Sequence, residues 1–216
     1  MQSARSTTTS GTSTSHRNQE CILQVALPAN YSSLAAFSYG VVSEALKPQL
    51  VQRLAGLCDP DTKSFNEHEM VFMLQVDRDK PSVQVRMRRR PKNDRLYWHC
   101  RYIGTPEVAA NCPTIVRKTV DSMMYSTNMM EFVKALGLRL EYEILMDGIL
   151  FTKGSVRITI SRMLSTNQNG NYEEKNLTNL SPNGHHFVEA SVILPENQDY
   201  EPAAKILRDF CDHLSP

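Results

Sequence analysis

The chain has 216 residues, of which 41% are hydrophobic and 22% charged, the balance of a globular protein with room for one sizeable core. Its 24 Lys/Arg against 23 Asp/Glu leave a net charge of +1, far from the excess of a dedicated nucleic-acid binder. No stretch approaches the roughly 20 apolar residues of a membrane span, and five scattered cysteines without a C-x-x-C pair argue against a disulfide framework or a zinc site.

Residues 1–18 form a Ser/Thr tract with almost no apolar content and read as a disordered tail without secretory architecture, which points to an intracellular protein. The segment from Cys21 to Leu27 is a short apolar run, the first expected strand, and residues 28–43 are small and weakly periodic and read as a loop. Leu46, Leu50, Leu54 and Leu57 then repeat at helical spacing. Pro48 is tolerated only in a first turn, so this helix should start close to Lys47 and end at Cys58-Asp59-Pro60.

From Glu69 the period changes to two. Strands are expected at 69–76, 82–90 and 95–103, with turns at "DRDKP" and "PKND", and another from Ile115 to Tyr125. Asn128 precedes Glu131 by three residues, a capping-box spacing, and opens a helix through Leu136 with Gly137 as its C′ residue. "LRLEYEILM" and "ILFTKG" flank Asp147-Gly148, a strong local hairpin signal. "SVRITISRML" alternates cleanly, Val156, Ile158 and Ile160 against Arg157, Thr159 and Ser161. The Asn-rich residues 165–184 read as a mobile excursion. His186 to Leu194 is a last strand, and a helix from about Tyr200 carries the stripe Ile206, Leu207, Phe210 and Leu214. The expected fold is α+β dominated by β: over residues 19–216, a single many-stranded antiparallel sheet curls into a β-barrel with about three flanking helices.

Three groups could carry chemistry. "VQVRMRRRPKNDRLYWHCRYIG" concentrates Arg86, Arg88, Arg90 and Arg101 around Tyr97, Trp98 and Tyr102. In a strand Arg86, Arg88 and Arg90 share one face and Val83, Val85 and Met87 the other, which suggests apolar inside and charged outside, with Trp98 a core anchor. The charged face is then a solvated surface, a basic docking surface for a protein partner, or a platform for single-stranded nucleic acid. Glu141 and Glu143 lie on one strand face and could hold a divalent cation, as in the tunnel-type triphosphatases, but Leu145 stands at the third alternate position, where that pattern has Lys. Glu67-His68-Glu69 and His185-His186 lack metal-ligand spacing. There is no phosphate-binding glycine loop, nucleophile elbow or dinucleotide fingerprint, so no catalytic residue, metal or cofactor is indicated.

The segments "LVQRLAGLCD", "NEHEMVFML", "VRMRRR", "WHCRYIGTPE", "FVKALGLRLEYEILMDGILFTKG" and "VRITISRML", in this order, resemble subunit 18 of the Mediator complex of RNA polymerase II transcription, with a weaker echo in "HFVEASVILPENQD". The resemblance implies a non-enzymatic coactivator subunit of the Mediator head module, nuclear, and built on a barrel similar to that of the tunnel triphosphatases. It implies partners as well: Mediator subunit 20, a C-terminal helical segment of subunit 8, other head-module subunits and, through them, RNA polymerase II, with no direct nucleic-acid or membrane contact. A metal-dependent phosphohydrolase using Glu141 and Glu143 is the alternative.

Overall fold

Runs of alternating polarity fill most of this chain, and each of them extends into a strand. The structure, a computed structural model, describes residues 22–24, 33–74, 83–90, 97–107, 112–168, 170–196 and 198–214. The strands are β1 (Ile22–Gln24), β2 (Ser33–Val42), β3 (Lys63–Leu74), β4 (Val83–Arg89), β5 (Tyr97–Pro106), β6 (Ile115–Tyr125), β7 (Arg139–Lys153), β8 (Val156–Thr166), β9 (Leu177–Asn179) and β10 (His186–Pro195). The helices are α1 (Lys47–Leu57), α2 (Met129–Ala135) and α3 (Glu201–Asp212). All pairings are antiparallel. The order β6-β2-β10-β8-β7-β3-β4-β5 returns to β6 through the β5–β6 ladder, so eight strands close a barrel, to which β1 adds beside β6 and β9 beside β8.

The apolar cores lie outside the barrel wall, between strands and helices. In the first, the outward residues Ala36, Val156, Ile158, Ile160, Ala190 and Val192 of β2, β8 and β10 are covered by Leu207 and Phe210 of α3 and Leu54 of α1. In the second, Met70, Phe72, Met87, Trp98 and Met124 of β3–β6 are capped by Met129 and Val133 of α2. Full burial of such a side chain contributes about 1.5–3 kcal/mol, which is how three short helices hold to the wall. Trp98 is a core anchor as expected, in the outer core.

Several expectations are corrected. Residues 33–42 are not loop but β2, paired with β6 and β10. Leu34, Ala35, Ala36 and Phe37 are all buried, so both faces of the first half of β2 are covered and the sequence shows no alternation there. Asp147-Gly148 is not a hairpin turn: both residues lie inside the continuous strand β7. A Cβ at Gly148 would stand 2.3 Å from the Ile160 carbonyl oxygen, so glycine is required by the close approach of β8. The turn is Gly154-Ser155, where Lys153 pairs with Val156 and Gly154 has φ +57°. Asn128 does not cap α2 with its side chain; its own N–H donates to the Ser126 hydroxyl instead. Gly137 does end α2 with φ +82°, and the Leu138 N–H donates to the Val133 carbonyl. Ile206 leaves the expected stripe and faces solvent, whereas Leu207 and Phe210 are buried. The Ser/Thr tail and the "DRDKP" and "PKND" turns lie outside the described residues. The Asn-rich excursion runs back along the barrel as β9, with Leu164 paired to Asn179.

Candidate functional site: the barrel lumen

Strand alternation in a closed barrel gives one face to the wall's outer cores and the other to the lumen. Because Val85 and Met87 pack outward, Arg86, Arg88 and Arg90 point inward. The expectation that this arginine face is the outer, wet side of the sheet is therefore inverted: the apolar partners lie outside and the charges inside. Arg86, Arg88, Arg90 and Arg101 line one common cavity of about 1030 Å³.

Inside it the charges are paired across strands. Glu69 and Arg88 are register partners, and Arg88 donates to the Glu69 carboxylate from Nε at 2.9 Å and Nη2 at 2.5 Å. Arg86 Nη1 lies 3.4 Å from the other Glu69 oxygen. Glu67 is shared by Arg88 at 3.3 Å and Arg90 at 3.6 Å. Arg101 grips Asp121 on the neighbouring strand with a bidentate fork of 2.6 and 2.9 Å, and His99 Nε2 stands 3.1 Å from the same carboxylate. Burial alone would raise the Asp121 pKa, but the hydrogen bonds from His99 and Arg101 and the Arg101 charge outweigh it and hold the carboxyl well below the usual range.

Glu189 of β10 reaches into the same space. Burial raises its pKa, against the attraction of Arg88, Arg101 and Arg86. Beside it Tyr39 stacks between Phe37 and Phe187, at ring distances of 5.8 and 5.6 Å, and its hydroxyl pKa is pushed up to about 12 by burial and by the Glu189 charge. Arg157 of β8 lines the cavity and is exposed; among the described residues no carboxylate lies within ion-pair distance of it.

Glu141 and Glu143 do not form a paired metal seat. Glu141 is exposed, while Glu143 at the rim accepts from His68 Nε2 at 3.0 Å and from the Tyr172 hydroxyl at 2.9 Å. Burial lowers the His68 pKa despite that hydrogen bond. Arg89 donates to His68 Nδ1 at 3.3 Å, so the neutral ring carries its proton on Nε2 and gives it to Glu143. Tyr172, whose pKa burial and the Glu143 charge push up to about 12, ties the Asn-rich excursion to the barrel here. His186 is buried and pairs with Glu44. Among the described residues no cluster of three or more His, Cys, Asp or Glu is arranged to hold a metal.

Sequence reasoning placed Arg86, Arg88, Arg90 and Arg101 on one face but missed Glu69, Asp121, Glu189 and Tyr172. For Glu69 a signal existed: it shares a face with Glu67 on a strand that must pair with an arginine strand. Glu189 and Tyr172 are brought in from distant sequence by closure of the barrel and left no local sign.

The family model described as Med18 protein matches residues 36–216. A Caenorhabditis elegans protein named Mediator of RNA polymerase II transcription subunit 18 is 40% identical over 208 residues, covering 94% of this chain and 82% of the relative. Among solved structures, a chain of the Schizosaccharomyces pombe Mediator head module superposes with a TM-score of 0.66 at 14% identity, over 84% of this chain and 92% of that one. The RNA triphosphatase domain of a mimivirus mRNA capping enzyme superposes with a TM-score of 0.50 at 11% identity, over 86% and 90%. At such identities these two likenesses speak for the fold alone, a barrel resembling that of the triphosphatases.

Proposed function

The chain belongs to the Med18 family, and from that premise we propose that it is a structural, non-catalytic subunit of the Mediator head module, a nuclear coactivator of RNA polymerase II transcription acting by protein–protein scaffolding. The observation that carries this reading is the family match over residues 36–216 together with 40% identity to a relative of that name. The geometry supports it. Glu67 and Glu69 are each spent on two arginines, and Glu143 accepts hydrogen bonds from a histidine and a tyrosine, so the carboxylates best placed for metal-assisted hydrolysis already have protein partners. A rigid closed barrel has few free sheet edges and presents helices and loops to partners instead.

The finer reading names Mediator subunit 20 and a C-terminal helical segment of subunit 8 as direct partners, and RNA polymerase II as an indirect one. The docking role proposed for Arg86, Arg88, Arg90 and Arg101 narrows with their placement. A partner reaches this set only through the barrel mouth, where the Arg90 side chain is 63% exposed against 18% for Arg101. The test is affinity purification of the tagged chain from nuclei of its own cells. Recovery of other head-module subunits in near-stoichiometric yield supports the proposal, and recovery of the chain without them refutes it.

A further inference from the structure

One wall of the lumen carries groups that the scaffold role does not use and that the lumenal ion pairs leave free. On β2, β10 and β8 the inward residues stand in rows across the strands. Phe37, Ser191 and Arg157 share one register, and Tyr39, Glu189 and Thr159 share the next. The rings of Phe37, Tyr39 and Phe187 are stacked along this wall, with 9° and 28° between neighbouring planes. Tyr39 is nonetheless 47% exposed, and it lines the cavity. Aromatic surface open to water inside a concave space, with a few polar groups beside it, is the lining from which small-molecule sites are built.

Two charged groups border the rings. Arg157 is exposed and has no carboxylate within ion-pair distance among the described residues. Glu189 feels the charges of Arg88, Arg101 and Arg86, not that of Arg157, and accepts no hydrogen bond from a described residue. Those three arginines are already held by Glu67, Glu69 and Asp121. Glu189 stands two residues along β10 from Ser191, the register partner of Arg157, a step of about 7 Å along the strand. A cation and an acceptor at that offset, beside a stack of rings, select the ligand. The guanidinium fork matches a carboxylate, the rings favour another ring in offset or edge-on packing, and Glu189 calls for a donor. An eight-stranded barrel has room for one small ligand of this kind. We propose that this wall of the lumen binds a small aromatic acid whose ring bears a hydrogen-bond donor opposite the acid group. The carboxylate takes Arg157, the ring lies against Phe37 and Tyr39, and the donor reaches Glu189. No arginine has to leave its carboxylate, so the pairs that brace the barrel persist when the ligand enters.

The test is calorimetric titration of the full chain, at neutral pH and fixed ionic strength, with 4-hydroxycinnamate as the probe. Cinnamate, which lacks the donor, octanoate, which lacks the ring, and inorganic tripolyphosphate are the comparators. Saturable binding of one 4-hydroxycinnamate per chain is expected, about tenfold tighter than cinnamate, the worth of one charge-assisted hydrogen bond, and tighter still than octanoate. Arg157→Gln should weaken both aromatic acids about tenfold. Because Arg157 is exposed and unpaired among the described residues, this variant should fold as the parent does. Glu189→Met should abolish the preference for 4-hydroxycinnamate over cinnamate while cinnamate still binds. Arg208→Gln, on the outer helix α3, is the control and should change affinity less than twofold. No saturable binding of 4-hydroxycinnamate, octanoate bound as tightly, tripolyphosphate bound more tightly, or an affinity unchanged by Arg157→Gln each overturns the proposal.

Discussion

Replacing Glu69 by Gln separates an inward-facing arginine cluster from an outward-facing one. The Glu69 side chain is 2% exposed and accepts from Arg88 at 2.5 and 2.9 Å, with Arg86 at 3.4 Å. Breaking a fully buried ion pair costs about 3–5 kcal/mol, because a charge is left without its counter-ion. Here each arginine side chain is 32% exposed, toward the lumen, so part of that penalty is relieved by solvent and about 2–3 kcal/mol remains. For a chain of this size that corresponds to a fall in Tm of roughly 4–12 °C. Urea unfolding followed by circular dichroism, with thermal scans in parallel, reads both numbers. The double variant Glu69→Leu/Arg88→Met should recover part of the loss, since removing both partners leaves a smaller uncompensated charge. A Glu69→Gln protein within about 0.5 kcal/mol of the parent, the scatter of ordinary surface substitutions, would refute the lumenal placement.

Other substitutions test the wall and its outer cores. Gly148→Ala forces a Cβ to within 2.3 Å of the Ile160 carbonyl oxygen and should yield insoluble or grossly destabilised protein, while Gly154→Ala, in open space with φ +57°, should cost only about 1 kcal/mol by urea unfolding. Leu207→Ala removes a fully buried side chain beneath α3 and should cost about 2–5 kcal/mol, against less than about 0.5 kcal/mol for Ile206→Ala, which is 55% exposed; equal effects would place the helix face wrongly. Burial holds the folded pKa of His68 below the ordinary histidine value of about 6.5, so the unfolded chain binds a proton that the folded one refuses. The stability this contributes is present above about pH 6.5 and lost as pH falls below it, and a His68→Asn variant should show a flatter stability profile between pH 7 and pH 5. A profile as steep as the parent's would assign the slope to other groups.

Alternation and helix spacing made most elements legible: β6 spans Ile115–Tyr125 as read, α1 starts at Lys47 where Pro48 demanded it, and three helices flank a β sheet. The failures share one cause, closure. A stretch of strand in a closed ring with both faces covered, such as Leu34 to Phe37 of β2, has no reason to alternate, and a glycine beside a tightly approaching neighbour, such as Gly148, imitates a turn. Closure also misled the reading of the site. In an open half-buried sheet the charged face is the wet outer one, so Arg86, Arg88 and Arg90 were expected at the surface. Once helices cover the outside of the ring, the apolar parity goes outward and the charged parity faces the lumen. The residues sharing a face were correct; only the side of the wall was not. Glu189 and Tyr172 meet this site through pairings no local pattern encodes.

This barrel is a scaffold within the Mediator head. Co-expression with Mediator subunit 20 and the C-terminal segment of subunit 8, followed by native mass measurement of the purified species, tests it most directly. The expected product is a stable complex with one copy of each chain. A monomer of this chain, with both partners lost in purification, would contradict it.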